Sequence, residues 1–210
     1  MRTVIIPAAG KATRFGGVLK ELLPISKTET ALMRAVKNAV ASMKATDICI
    51  ITNKEKVSEH MAALTSLPVT YKEQVYNTDL WGAILSGLSA VDGGLIMPDT
   101  ITDIPIMTTS APLSFGLFTT HEPERFSILH NNTIITKQKI VDNNTVYKAW
   151  GVVLWNADVA AYWIKHGNYL HYDDAFRDAM IHFGFTVFDL PYYYDIGTFD
   201  AYTQYIKDIA

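Results

Sequence analysis

Cysteine is nearly absent. The 210 residues hold one, Cys49, which leaves no material for a disulfide framework or a cysteine-rich metal cluster. It lies in the apolar run Ile48-Cys49-Ile50-Ile51 and reads as a buried strand residue rather than a nucleophile. Long hydrophobic runs are missing too. The apolar stretches are strand-sized and the chain opens on a strand rather than a signal-peptide pattern, so a cytoplasmic protein without a membrane span is expected. An excess of either charge is also lacking: 18 Lys and Arg against 21 Asp and Glu give a net charge of −3. That balance exerts no overall pull on nucleic acid, so a basic site has to be local. There is no internal repeat, low-complexity tract or linker; the stretch nearest to a break, 100–112 (TITDIPIMTTSAP), reads as a connection. What is present, 49% apolar and 19% charged residues, suffices for a sizeable core in a single domain over 1–210.

The first hundred residues alternate between two periodicities. Val4-Ile5-Ile6 and 47–52 (DICIIT) are continuous apolar runs of strand length, as in parallel strands covered on both faces. Leu32, Ala35, Val36, Ala39, Val40 and Met43 recur at helical spacing and predict a helix over 30–44. Further helices are expected over 54–64 and 79–91, and strands over 69–72 and 94–97. Strands alternating with helices at this density argue for a parallel α/β sheet. From Pro112 the pattern becomes richer in strands, with 113–120, 133–136 and 146–155 expected as strands, and 124–128 (ERFSI) resembles a PERFG-type strand of a known family, which implies one more there. Helices over 156–165 and 172–183, a strand over 186–190 and a helix over 199–209 complete the prediction. Asn156 is placed to cap the first of these helices, with Asp158 at the positive end of its dipole.

Two places carry the chemistry. Within 3–24 (TVIIPAAGKATRFGGVLKELLP), a buried strand ends in small residues, followed by Thr13, Arg14 and Lys20. Small residues let backbone N–H groups approach a ligand, and a hydroxyl, a guanidinium fork and an ammonium beside them suit polyphosphate. At 97–100 a strand ends in Met97-Pro98-Asp99-Thr100, at the carboxyl edge where ligands of open α/β sheets gather. A carboxylate there is a natural Mg²⁺ ligand, although Pro-Asp is also an ordinary turn pair. His166, His171 and Asp173 match no zinc spacing, and the histidines read as scattered surface residues. Tyr192 to Tyr194 and the four tryptophans serve the core or an interface, and oligomeric state, a homo-oligomer included, stays open.

The series PAAG-K-A-T-R-F, K-E-L-L-P, P-D, a spaced lysine and D-I-G-T resembles the sugar-phosphate nucleotidyltransferases, the nucleotide-sugar pyrophosphorylases, over nearly the whole chain. The resemblance implies a Rossmann-like, GT-A-type fold, a mixed, mostly parallel sheet flanked by helices. It implies an enzyme that transfers a nucleotidyl group from an NTP, UTP or dTTP favoured, to a sugar-1-phosphate with Mg²⁺. Ala8, Ala9, Gly10, Ala12 and Thr13 would then hold the nucleotide, and Arg14 and Lys20 the charge of the transferring phosphates. Gln74 would read the pyrimidine edge. Asp99 and Asp195, the latter in Tyr194-Asp195-Ile196-Gly197-Thr198, would bind the metal. Counting back from Gly151 places Lys139 on the family's sugar-phosphate lysine, with Lys137 as a rival, and assigns Gly151 to the same subsite.

The sequence departs from the pattern at several places. Ala12 replaces the second glycine, Gln138 an acidic residue and Ile140 a proline, and Asp79 or Leu80 stands where a glycine is usual after Gln74. The loop from Arg14 to Lys20 is short, as in the cytidylyltransferase branch. Two alternatives therefore stay open: a cytidylyltransferase for a non-sugar alcohol phosphate, and a catalytically silent nucleotide-binding subunit. A glycosyltransferase is disfavoured by the lack of a D-x-D pair at a strand end.

Overall fold

The computed structural model describes residues 1–10, 15–65, 67–76, 79–106, 111–137 and 145–209. In the N-terminal half, strands β1 (Arg2–Pro7), β2 (Asp47–Thr52), β3 (Thr70–Glu73) and β4 (Asp92–Ile96) alternate with helices α1 (Ala31–Ala41), α2 (Val57–Ala63) and α3 (Leu80–Gly87). A two-residue strand, β5 (Thr100–Ile101), follows. The second half contains β6 (Leu113–Thr120), β7 (Ile128–His130), β8 (Thr133–Ile135), β9 (Tyr147–Trp155), α4 (Ala157–His166), α5 (Tyr172–Phe183), β10 (Thr186–Asp189), β11 (Tyr194–Asp195) and α6 (Phe199–Ile209).

The main sheet runs β10-β6-β9-β4-β1-β2-β3, with β7 and β8 attached beside β9. Pairings among β4, β1, β2 and β3 are parallel, as is β10 with β6; β9 runs antiparallel to both β4 and β6. This is the mixed, mostly parallel sheet flanked by helices that the sequence predicts.

The continuous apolar runs have a physical reason. Val4 and Ile6 face Leu32, Val36, Ala39 and Met43 of the α1 side, while Ile5 faces Trp81 and Ile84 of α3 on the opposite side. Both faces of β1 are therefore dry, and an alternating pattern would have placed polar groups in one core. Helices α1, α3 and α4 each begin where a side chain satisfies a free N–H: Thr30 accepts from Met33 at 3.3 Å, Asp79 from Gly82 at 2.8 Å and Asn156 from Val159 at 3.0 Å.

Two expectations are corrected. The segment 124–128 is not a strand: residues 123–126 form a turn, closed by Arg125 N–H to Glu122 and Phe126 N–H to Pro123, and β7 begins only at Ile128. The helix expected over 54–64 starts at Val57, because Asn53 Oδ1 takes the N–H groups of Glu55 and Lys56 and forms a turn ahead of it. Among the described residues, no helix is long and apolar enough to cross a membrane.

Candidate active site

A cavity opens at the carboxyl end of β4. It has a volume of about 410 Å³ and is lined by Lys20, Asp99, Asp195, Arg125, Trp150 and Tyr172, among others. Asp99 and Asp195 lie far apart in sequence, and a small antiparallel pairing brings them together. Strand β11 pairs with β5, placing Asp195 opposite Thr100, and the Ile196 N–H donates to the Asp99 carbonyl at 3.0 Å. Ile25, Ala31, Ile101, Ile196 and Tyr205 form a separate apolar cluster that anchors this pairing beneath α6.

Both carboxylates face one point. A Cβ added to Gly197 would lie 2.7 Å from Asp195 Oδ1 and 3.3 Å from Asp99 Oδ2, so glycine leaves that gap open. Lys20 donates to Asp99 Oδ2, and Arg125 Nη2 donates to Asp195 Oδ2 at 3.0 Å. The Gly197 N–H holds the other Asp195 oxygen at 2.8 Å. Lys20 reaches the cavity from a short 3-10 helix (Lys20–Leu22) that follows a tight turn. Gly16 and Gly17 adopt φ of +61° and +90° in that turn, the left-handed region that other residues enter at a cost.

The far wall is aromatic. Tyr193 stacks on Phe118 with ring centroids 3.7 Å apart, and its hydroxyl accepts from Thr100 at 2.9 Å. Burial pushes its hydroxyl pKa well above the usual range, and the charges of Asp195 and Asp99 add to the effect. Tyr172 is pushed up to about 12 by burial, with the neighbouring Asp173 charge second. Asp173 is fully buried; Ser127 Oγ donates to its Oδ2 at 2.8 Å, while Oδ1 has no hydrogen-bond partner among the described residues. Burial raises its pKa, and the hydrogen bonds from Ser127 and Thr136 only partly oppose that. The Trp150 indole N–H likewise has no partner among the described residues.

Carboxylates, cations and a ring-lined recess at this edge of an α/β sheet suit phosphoryl chemistry, and the sequence comparison agrees. The profile of the MobA-like NTP transferase domain matches residues 4–111. The chain belongs to the MobA-like NTP transferase family. It is a nucleotidyltransferase. No curated protein is similar enough to count as a match.

Several solved structures share the fold. A Bacillus anthracis protein named as a glucose-1-phosphate thymidylyltransferase, solved with a sucrose, superposes with a TM-score of 0.80 at 21% identity, over 98% of this chain and 94% of that one. An apo-UDP-glucose pyrophosphorylase gives 0.78 at 16% identity, over 100% and 98%. The UTP-bound UGPase of Acinetobacter baumannii gives 0.76 at 14%, over 100% and 93%.

The site residues expected from the sequence of this MobA-like NTP transferase fall into four groups. Lys20, Asp99 and Asp195 meet in the cavity, and so does Lys137, the rival to Lys139. Ala8, Ala9 and Gly10 follow β1 at the same sheet edge. Ala12, Thr13, Arg14 and Lys139 lie outside the described residues. Gln74 and Gly151 stand apart from the cavity lining. Gln74 continues β3 and donates its amide to the Asp79 carbonyl at 3.0 Å. Gly151 lies in β9 beneath the Tyr193 ring, which fills the space a side chain would need. Cys49 is buried in β2 as expected, and burial pushes its thiol pKa up.

The sequence reading did not single out Arg125 as a site residue, nor an ionic cluster behind the loop. Glu21, in the K-E-L-L-P motif, is 2% exposed; its Oε1 accepts from Lys56 Nζ and His60 Nε2, each at 3.0 Å. Thr52 Oγ1 lies 3.0 Å from His60 Nδ1. Burial alone would raise the Glu21 pKa. Hydrogen bonds from His60, its own backbone and Lys56 outweigh that effect and hold it below the usual carboxylate range. Polar residues inside helix-like patterns were the available signal, and only the fold shows that they meet.

Proposed function

We propose that this nucleotidyltransferase moves a nucleotidyl group from UTP or dTTP to a sugar-1-phosphate, releasing pyrophosphate and forming an NDP-sugar. The observation that carries this reading is the meeting of Lys20, Asp99 and Asp195 in one cavity with an aromatic wall. An oxygen of the acceptor phosphate attacks the α-phosphorus in line. A new P–O bond forms as the bond to the β-phosphate bridging oxygen breaks, and the electron pair leaves with pyrophosphate. Lys20, with Arg14, meets the negative charge on the transferring and leaving groups. The loop at Ala8, Ala9 and Gly10, continued by Ala12 and Thr13, holds the triphosphate, and Gln74 reads the base.

Asp99 and Asp195 present carboxylate oxygens, the donors Mg²⁺ takes, and would hold that ion with phosphate oxygens and water completing its shell. Once bound, it neutralises phosphate charge. Lys137 or Lys139 draws in the acceptor phosphate. Trp150 offers its unpartnered indole N–H to an acceptor hydroxyl beside the Tyr172 ring. Gly151 serves this side through the Tyr193 ring that it admits. The reading takes 1–210 as one domain.

The test is pyrophosphate release with Mg²⁺, using the four ribonucleotides and dTTP against glucose-1-phosphate and other sugar and alcohol phosphates. Release that requires both substrates and is lost in Asp99→Asn supports the reading. The short Arg14–Lys20 loop favours, as a second reading, a cytidylyltransferase for a non-sugar alcohol phosphate, and turnover with CTP alone would select it. Nucleotide binding without turnover of any pair would replace both readings with a silent subunit.

A further inference from the structure

Two residues after β2 take up three consecutive carbonyls of the loop after β1. Asn53 Nδ2 donates to the Ala9 carbonyl at 3.0 Å. Lys56 Nζ donates to the Gly10 carbonyl and stands 3.5 Å from that of Ala8. A trans peptide is planar, so the N–H that follows each carbonyl points the opposite way. Fixing the carbonyls of Ala8 and Ala9 toward Asn53 and Lys56 therefore turns the N–H groups of Ala9 and Gly10 away from them. Neither N–H donates to a described residue. A Cβ added to Gly10 would meet nothing within 4 Å, so the space beside the loop is open.

The two donors are themselves held. Asn53 Oδ1 accepts the N–H groups of Glu55 and Lys56, each at 3.1 Å, which fixes the amide's orientation. Lys56 is 6% exposed, and Glu21 supplies its buried counter-charge. His60 donates to the same Glu21 oxygen, which leaves its Nδ1 to accept from the Thr52 hydroxyl. A buried ammonium costs several kcal/mol unless it is paired, so a lysine placed under loop carbonyls with its own glutamate is a built device.

We propose that Asn53 and Lys56 are positioning residues for the nucleotide's phosphates. By holding the loop carbonyls on the interior side, they present the following N–H groups as a preformed anion nest, and Glu21 of the K-E-L-L-P motif serves that nest through Lys56. This inference rests on the reading of the loop as the triphosphate site.

Two variants test it, with binding of UTP, dTTP and CTP in Mg²⁺ followed by calorimetry and steady-state kinetics. Asn53→Ser keeps a side-chain oxygen able to cap Glu55 and Lys56 and removes the amide donor to Ala9 without adding a charge. The double change Glu21→Gln with Lys56→Met removes the ammonium without leaving a buried charge unpaired. Because preorganisation acts on binding, nucleotide affinity is expected to weaken at least about tenfold in each, with the acceptor KM within about twofold. A purely structural role would lower the melting temperature and leave the folded protein's nucleotide affinity intact. Unchanged nucleotide affinity in either folded variant overturns the inference. If the unaltered chain binds none of the nucleotides, the triphosphate reading itself falls, a result seen before any variant is made.

Discussion

Lys20 and Glu21 are neighbours in one turn of 3-10 helix, yet they enter opposite electrostatic worlds. Lys20 faces the cavity and donates to Asp99 at a site open to solvent on one side. Glu21 faces the interior and meets Lys56 and His60 in a cluster with Thr52 closing its far end. The interior cluster is saturated: its partners satisfy one another, and its net effect is to hold the Glu21 carboxyl ionised. In the cavity, two cations and two carboxylates converge on the space beside Gly197, where a ligand's charges can replace theirs. Sequence proximity thus says little about role. Burial and completeness of partners separate an enclosed, mutually satisfied group from one left facing an open cavity.

The largest effect expected from breaking this contrast is in the interior. Glu21→Ala leaves Lys56 buried without a counter-ion and is expected to cost about 3–5 kcal/mol of stability in urea unfolding. A loss below about 1 kcal/mol would show that water reaches the cluster and that the two environments are alike. Next comes the cavity. Lys20→Met is expected to lower kcat by about 10²–10³-fold while the urea midpoint stays near that of the unaltered chain. A matching fall in stability with little loss of turnover would make Lys20 structural, like its neighbour.

The smallest effect is in pH dependence, where Glu21 and Asp173 carry opposite signs. The folded-state Glu21 carboxyl titrates below its ordinary 4.5, so its contribution is present above that pH and is lost as pH falls through the folded value. The folded-state Asp173 carboxyl titrates above its ordinary 3.8, so the folded protein favours the protonated acid and loses that stability as pH rises through the folded value. Stability measured against pH should therefore show Glu21→Gln losing ground to the unaltered chain as pH rises toward 4.5. Asp173→Asn should gain ground as pH rises above 3.8, and parallel curves would contradict both assignments.

Much of this protein could be read directly from its sequence. The bounds of β2, β6, α5 and α6 follow from apolar runs and helical spacing, because periodicity and capping are local properties. The parallel order of the first four strands follows from their alternation with helices, and the placing of Asp99 from the carboxyl edge where its strand ends. The sequence failed where meaning depended on partners far along the chain. The expected strand at 124–128 became a turn that aims Arg125 at Asp195, a contact spanning 70 positions. Asp195 reaches Asp99 only through the pairing of β5 and β11, each two residues long and without a periodicity of its own. Lys56 and His60 look like polar residues of a modest helix until β2 and α2 pack beside the turn that carries Glu21. Local patterns set the elements because backbone hydrogen bonds and amphipathic faces act over a few residues. Charge, burial and the direction of an N–H depend on what the folded chain brings within a few ångströms, and tertiary structure alone decides that.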